Sequence, residues 1–217
     1  MLNQTPASPD LIERPTMLNQ LRPAIVLVAL FTLLTGIAIP LGFVGVAGAV
    51  LPFQAGGSLV ERDGKVVGST LVGQNWTGDK YLQGRPSATT MTDPNDSTKT
   101  VPAPYNAANS GASNLGPTAK SLIDRVTADA KKLGSAPVPG DAVTTSASGL
   151  DPDISPQFAA LQVPRIAKAR NISESRVQDV INAHTDGRLL GLIGEPRVNV
   201  LGVNLALDAT PSGIAAK

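Results

Sequence analysis

The stretch "PAIVLVALFTLLTGIAIPLGFVGVAGAVLP", residues 23–52, decides how this chain is organised. No charged residue occurs between Arg22 and Glu61. A helix of about 20 apolar residues crosses the hydrocarbon core of a bilayer, and this run is longer. The sequence therefore predicts one transmembrane helix over residues 23–51, with a far end that Pro40 kinks or loosens.

A cleaved signal peptide is the competing interpretation, because "AGA" at residues 47–49 resembles a small-residue cleavage site. The apolar core of a signal peptide is only about 7–15 residues long, which favours an uncleaved anchor. Basic residues near the two ends of the run are equal in number, but Arg22 abuts it directly. We therefore expect a cytoplasmic N-terminus and a main domain outside the cytoplasm.

The remaining residues divide into two tails and one domain. Residues 1–22 form a polar, Pro-rich N-terminal tail that is predicted to be disordered at least to residue 16. The motif "MLNQ" begins at Met1 and again at Met17, so either methionine could start translation. Residues 52–210 are predicted to form an extracytoplasmic α+β domain, followed by a C-terminal tail over residues 211–217. The fold class is thus a single N-terminal transmembrane α-helix followed by an α+β soluble domain.

Local patterns predict the first elements of this domain. Two apolar-alternating runs flank Asp63-Gly64, which is the strongest short hairpin signal. A helix is expected over residues 119–133, with Thr118 as its N-cap and Gly134 as its end. Two more helices are expected to start after the N-cap residues Ser155 and Ser173.

Two further segments complete the predicted domain. The polar, Pro-containing residues 93–104 predict a surface loop. The Val- and Leu-rich residues 196–208 predict a final strand, with a bulge at Gly202. A hairpin, then helices, then a strand suggests an α+β arrangement.

The composition excludes several kinds of chemistry. The chain has no Cys and one His, which removes disulfides, thiol catalysis and metal sites with two His ligands. Eighteen basic residues balance seventeen acidic ones and aromatic residues make up 3% of the chain, which argues against a nucleic acid partner. No phosphate-binding loop and no Gly-x-Ser-x-Gly elbow occurs. We therefore assign no catalytic residue and no metal ligand.

Two acidic residues and the histidine are the remaining candidates for chemistry. Asp151 and Asp153 precede the helix expected at Ser155, and we interpret them as turn and first-turn acids near the helix dipole. His184 falls on the apolar face of the third helix, which favours a half-buried structural histidine. A membrane-anchored envelope hydrolase using His184, or a free-standing ligand-binding protein, is the alternative.

The stretch "LVGQNWTGDKYLQGRPSAT", residues 71–89, holds the only Trp of the chain and several glycines. Trp76, Tyr81 and Arg85 are residue types that dominate binding hot spots. The same types also anchor ordinary cores and loops. From the residues alone these two interpretations are equal.

Four blocks, in the same order, resemble one family: "GSTLVGQNWTGDKYLQGRPSAT", "YNAANSGASNLGPT", "VTTSASGLDPDISPQFAALQVPRIAKARNIS" and "GEPRVNVLGVNLALD". The family is the C subunit of the bacterial potassium-transporting P-type ATPase, the Kdp complex. The likeness runs from about Leu21 to Asp208 and includes the membrane span. The tail before Met17 and the loop at residues 93–104 depart from the family pattern.

This resemblance implies an accessory subunit in the bacterial inner membrane, with no reaction and no cofactor of its own. ATP, Mg and K would be handled by the complex. The implied partners are the channel-like potassium-translocating subunit, the P-type ATPase subunit, a small single-span subunit and membrane lipid. The implied partner interface comprises Trp76, Tyr81, Arg85, Tyr105, Asn106 and Asn114.

The family is described as a catalytic chaperone that raises the ATP affinity of the pump subunit. The resemblance then assigns Gln74, in the "VGQ" block, to a contact with ATP. An extracytoplasmic domain conflicts with this assignment. The physically simpler expectation is that the domain packs over the entrance of the channel-like subunit.

Overall fold

The computed structural model describes residues 17–134 and 137–210, which form two compact units divided after Gly56. The tails predicted before residue 17 and after residue 210 lie outside the described residues. Within these residues one helix, Met17–Val50, is long and apolar enough to cross a membrane. The predicted fold class of one N-terminal apolar helix followed by a mixed helix and sheet domain is confirmed.

The first unit is almost entirely helical. Its helix begins at Met17, six residues before the predicted start, at the second "MLNQ". Pro23 lies inside this helix, where it removes only one backbone hydrogen bond near the N-terminal end. The elements are α1 (Met17–Leu33), a π-helical turn (Leu34–Ala38), α2 (Ile39–Val50) and the short α3 (Pro52–Ala55).

The π-helical turn lies just before Pro40. Proline has no N–H, and its ring crowds the carbonyl four residues earlier, here Gly36. The helix adapts by an i→i−5 bond, in which the Ile39 N–H donates to the Leu34 carbonyl. The irregularity predicted around Pro40 is therefore a widened turn on the N-terminal side of the proline.

The second unit opens with the predicted hairpin. Asp63 and Gly64 both adopt positive φ, 53° and 72°, as a two-residue primed turn requires. The register pairs Arg62 with Lys65, and a bulge follows Val60. The two strands are β1 (Leu59–Arg62) and β2 (Lys65–Ser69).

The loop predicted over residues 93–104 is wrong, because most of it is a second hairpin. β3 (Thr90–Asp93) and β4 (Asp96–Pro102) pair antiparallel around a turn that contains Pro94. Asn95 N–H donates to Asp93 Oδ1 at 2.8 Å and closes this turn. Both strands are exposed or half-buried, so they lack the apolar alternation by which a strand is recognised.

The three predicted helices are present. α4 (Lys120–Leu133) starts one residue later than predicted, after Ala119 instead of Thr118, and ends before Gly134, whose φ is +107°. Ser155 and Ser173 cap the next two helices, since each hydroxyl accepts a backbone N–H three residues on. The remaining helices up to this point are α5 (Gly140–Val143), α6 (Pro156–Arg170) and α7 (Glu174–Ala183).

The predicted C-terminal strand is mostly a helix. β7 (Arg197–Asn199) is only three residues long, and α8 (Val200–Ala209) follows at once. Asn199 caps α8 by accepting the Gly202 N–H at 2.9 Å, so Gly202 is a helix residue and no bulge. The side chains buried at i, i+3, i+4 and i+7 follow a helical period, and the Val-rich composition concealed it.

A small sheet and the helices enclose the core of the second unit. β7 lies between two two-residue strands, β5 (Asp153–Ile154) and β6 (Thr185–Asp186), and pairs antiparallel with both. Helices α6, α7 and α8 pack on one another and on β7. The largest fully buried side chains are Leu82, Ile166, Ile181, Leu207, Val177, Val198, Val203 and Asn204.

Candidate functional site

Residues 76–85, the clamped segment, run without regular secondary structure and are held by side-chain amides from two helices. Asn204 of α8 accepts the Leu82 N–H at 2.8 Å and donates to the Leu82 carbonyl at 2.9 Å. Gln162 of α6 treats Gln83 in the same way, at 2.9 and 3.0 Å. Each amide thus replaces a neighbouring strand, and the Leu82 side chain enters the core fully buried.

Two arginines of α6 bind further carbonyl groups of the clamped segment. Arg165 donates to the carbonyls of Asp79 at 2.7 Å and Tyr81 at 3.1 Å. Burial is the main cause that lowers the pKa of Arg165 from its usual value. Arg170 donates to the Lys80 carbonyl at 2.6 Å. The segment is therefore fixed by the charged side of α6 as well as by the amides.

Trp76 and Tyr81 form an aromatic pair at the start of this segment. Their ring centroids are 4.8 Å apart and the planes are tilted by 50°. The Tyr81 ring also lies 5.3 Å from the Arg170 guanidinium and 4.9 Å from the Lys80 ammonium. Both aromatic residues are half-buried, so most of their contacts are made within this chain.

Arg85 ends the clamped segment in an ion pair. Its Nη1 lies 2.9 Å from Asp151 Oδ2, and both side chains are about three-quarters buried. The Tyr105 hydroxyl donates to the Arg85 carbonyl at 2.8 Å. A Cβ atom on Gly73 or Gly84 would collide with Tyr105, which explains why this stretch is punctuated by glycine.

Tyr105 is the residue whose ionisation this environment changes most clearly. Burial raises the pKa of Tyr105 to about 12, and the nearby Asp151 charge acts in the same direction. The phenol therefore stays protonated at neutral pH and serves as a hydrogen-bond donor to the backbone. Tyr105 itself adopts a positive φ of 61°.

The two asparagines assigned to the partner interface have different surroundings. Asn106 donates to the Thr90 carbonyl at 2.8 Å and accepts the Ala108 N–H, so its side chain organises the turn after β4. Asn114 is exposed and has a φ of 49°. Within the described residues no hydrogen bond joins the Asn114 side chain to the other assigned residues.

Gln74, the residue assigned to ATP, lies between β2 and the clamped segment. Its Nε2 donates to the Val67 carbonyl at 2.7 Å. A Cβ atom on Gly68 would collide with this amide, so the side chain is packed tightly against the strand. The amide of Gln74 is thus used inside the fold.

A cavity of about 500 Å³ lies beside the clamped segment and α4, large enough for a small ligand. Its charged groups are already paired, Arg85 with Asp151 and Lys132 with Asp129 at 2.8 Å. Trp76 Nε1 and Arg85 Nε have no hydrogen-bond partner, but protein atoms cover both. A nucleotide triphosphate needs an excess of cationic donors, which this arrangement does not supply.

Asp151 and Asp153 do not act as first-turn acids of α6, so that interpretation is wrong. Asp151 binds Arg85, and Asp153 lies in β5, where it contacts Arg197 at 3.2 Å. Burial raises the pKa of Asp153. The acid at the start of α6 is Asp141, which accepts both the Ser155 hydroxyl and the Ser155 N–H.

His184 is half-buried at the C-terminal end of α7, as the sequence predicts. Its Nδ1 lies 2.9 Å from the Val180 carbonyl, so Nδ1 carries the proton and donates it. Across residues 17–134 and 137–210, no group of His, Asp and Glu side chains is arranged to hold a metal ion.

Sequence reasoning missed the residues that clamp residues 76–85, above all Asn204 and Gln162. Both are polar side chains at positions where the helical period demands burial. A buried amide nearly always has partners, so this mismatch between polarity and position was the available signal. Detecting it requires the correct assignment of α8 as a helix.

The chain matches the family model described as "K+-transporting ATPase, c chain" over residues 21–209. It is 64% identical to the potassium-transporting ATPase KdpC subunit of Methylobacterium nodulans, covering 88% of this chain and 98% of that one. The subunit of the same name from Rhodopseudomonas palustris is also 64% identical, with 89% and 99% covered. That from Bradyrhizobium diazoefficiens is 62% identical, with 88% and 98% covered. This chain therefore belongs to the KdpC family, the c chain of the K+-transporting ATPase.

Proposed function

We propose that this chain is a non-catalytic accessory subunit of an ATP-driven potassium uptake complex. The family match over residues 21–209 carries this proposal. ATP, Mg and K are then handled by the partners, which are a channel-like subunit, a P-type ATPase subunit and a small single-span subunit. The chain contributes assembly and stability to the complex.

The use of polar side chains in the second unit supports a non-catalytic role. Gln74 donates to the Val67 carbonyl, and His184 donates to the Val180 carbonyl. The Arg85 guanidinium is paired with Asp151. A general base or a phosphate ligand must be free to meet its substrate, and these groups are bound within the fold.

The proposed topology places the N-terminus in the cytoplasm and the main domain outside it, in the bacterial inner membrane. The apolar helix Met17–Val50 supports a single membrane span. Arg22 at the edge of the apolar run supports the orientation, since basic residues stay on the cytoplasmic side. An outer domain would pack over the entrance of the channel-like subunit and shape potassium access.

A role as a catalytic chaperone that raises ATP affinity is the second candidate, and it rests on the family resemblance. It requires the Gln74 amide to leave Val67 and reach a nucleotide. The balanced charges around the 500 Å³ cavity favour the packing role over this one.

The complex purified with and without this chain tests the proposed function. We expect potassium-stimulated ATPase activity to be lost without the chain and restored when the full chain is added back in detergent. Full activity and a stable assembly of the remaining subunits without the chain would contradict the proposal.

Reporter fusions after Lys217 test the topology. Alkaline phosphatase, which folds outside the cytoplasm, is expected to be active at this position. A cytoplasmic fluorescent protein fused at the same site serves as the matched control and is expected to stay dark. The reverse pattern would place the main domain in the cytoplasm.

A further inference from the structure

Residues 188–195, the apolar loop, expose a continuous set of aliphatic side chains. The sequence is "RLLGLIGE", and Leu189, Leu190, Leu192 and Ile193 are 66%, 85%, 84% and 64% exposed. A single exposed leucine is ordinary, but four within five residues form a contiguous apolar patch. Such patches mark interaction surfaces.

The apolar loop is held in one conformation by its own bonds. Leu189 and Ile193 exchange backbone hydrogen bonds of 2.9 and 3.0 Å. Arg188 and Glu195 form an ion pair of 2.7 Å at the base. Leu190 adopts a φ of +54°, a conformation that is unfavourable for leucine. The chain therefore fixes these side chains outward before any partner binds, which lowers the entropy lost on binding.

Several features favour a protein surface over lipid as the occupant. The Leu190 N–H and the carbonyls of Leu190, Gly191 and Leu192 have no partner among the described residues. Irregular backbone with free polar groups is not tolerated in the hydrocarbon region, whereas a protein can bind these groups. The loop also lacks Trp, Tyr and excess basic charge, which anchor interfacial segments to lipid headgroups.

We propose that the apolar loop docks into an apolar recess on a membrane-embedded subunit of the same complex. The inference rests on the proposed function and identifies the surface of this chain that performs the assembly role. The recess would be lined by aliphatic and aromatic side chains and rimmed by hydrogen-bonding groups for the peptide groups of the loop. It needs no net charge, because Arg188 and Glu195 neutralise each other.

The short connection between the two units makes a membrane-embedded partner reachable. Residues 51–58 join the end of α2 to β1 and span at most about 28 Å when fully extended. A domain tied this closely to a membrane span stays near the bilayer surface, where the other subunits of the complex are exposed.

Photocrosslinking in the assembled complex tests the docking directly. Leu190 is replaced by the photoreactive residue benzoylphenylalanine, and Ile123, which is 52% exposed on α4, receives it as the matched control. We expect irradiation to join position 190 to another subunit at least tenfold more than position 123. A crosslink only to a second copy of this chain, only to lipid, or equally from both positions would overturn the proposal.

Co-purification separates the failure of this inference from the failure of the proposed function. The double variant Leu190→Ser with Leu192→Ser is expected to reduce retention of the chain on the purified complex at least tenfold. Ile123→Ser should leave it unchanged. If the wild-type chain is retained and the double variant is retained equally, the docking surface is wrong but the accessory role stands. If the wild-type chain is not retained, the proposed function itself fails.

Discussion

The clamped segment and the apolar loop both lack regular secondary structure, but their side chains have opposite surroundings. In residues 76–85 the hot-spot residue types are engaged by the fold: Tyr81 contacts Trp76, and Arg85 pairs with Asp151. In residues 188–195 the aliphatic side chains meet solvent, and the loop is fixed only by its own bonds.

The comparison shows that residue type alone does not identify a binding surface. Trp, Tyr and Arg are suited to internal anchoring for the same reasons that suit them to interfaces, namely a large apolar area and several donors. What distinguishes the two regions is whether partners for those groups exist within the chain. The interface assigned to Trp76, Tyr81, Arg85, Tyr105, Asn106 and Asn114 stays a prediction.

The strongest test of internal anchoring is Asn204→Ala. It leaves the Leu82 N–H and carbonyl buried without partners, at about 1–3 kcal/mol each, so the unfolding free energy should fall by about 2–6 kcal/mol. Denaturant unfolding of the full chain in detergent, followed by the fluorescence of Trp76, measures this. Asn182→Ala, on the exposed face of α7, is the control and should change stability by less than about 0.5 kcal/mol.

Tyr105 sharpens the comparison at alkaline pH. The folded pKa of about 12 exceeds the unfolded value of about 10, so the protonated phenol favours the folded state. This contribution is complete below pH 10 and is lost as pH rises from about 10 to 12, by about 3 kcal/mol. Tyr105→Phe should therefore lose stability less steeply than the wild type over that range. Parallel unfolding curves from pH 9 to 12 for both proteins would contradict a buried, protonated Tyr105.

Gln74→Ala tests whether residues next to the clamped segment serve the fold or a nucleotide. Losing the bond to the Val67 carbonyl should lower the unfolding free energy by about 1–2 kcal/mol. The Michaelis constant for ATP of the intact complex is expected to stay the same. A severalfold increase in that constant, with normal assembly and normal potassium affinity, would favour the catalytic chaperone role instead.

His184→Ala should have the smallest effect. It removes one hydrogen bond to the Val180 carbonyl, worth about 0.5–1 kcal/mol. ATPase turnover of the assembled complex should remain within twofold of the wild type. A hundredfold loss of turnover with normal assembly, about 2.7 kcal/mol in the barrier, would restore the hydrolase alternative.

The elements that were predictable from sequence are those fixed by local signals. The membrane helix follows from a long uncharged run, and the first hairpin follows from Asp63-Gly64, which both need positive φ. Ser155 and Ser173 predicted the starts of α6 and α7, because a hydroxyl at the N-cap satisfies a backbone N–H there.

The failures occurred where burial gave no contrast between the faces of an element. α8 is apolar on most sides, so its run of Val and Leu could belong to a buried strand or a buried helix. β3 and β4 fail in the opposite way, since neither strand has a buried face. The clamp made by Asn204 and Gln162 joins positions about 80 to 120 residues apart, and no local pattern encodes such pairing.

The length of the membrane helix has a mechanical consequence. The uncharged stretch from Pro23 to Val50 is about 42 Å long as a helix, whereas the hydrocarbon core is about 30 Å thick. Tilting alone would need roughly 45°, beyond the usual range of about 0–40°. Hydrophobic mismatch of this size is relieved when the surplus turns lie against protein, so this helix is better matched to a crowded assembly than to a lone span in lipid.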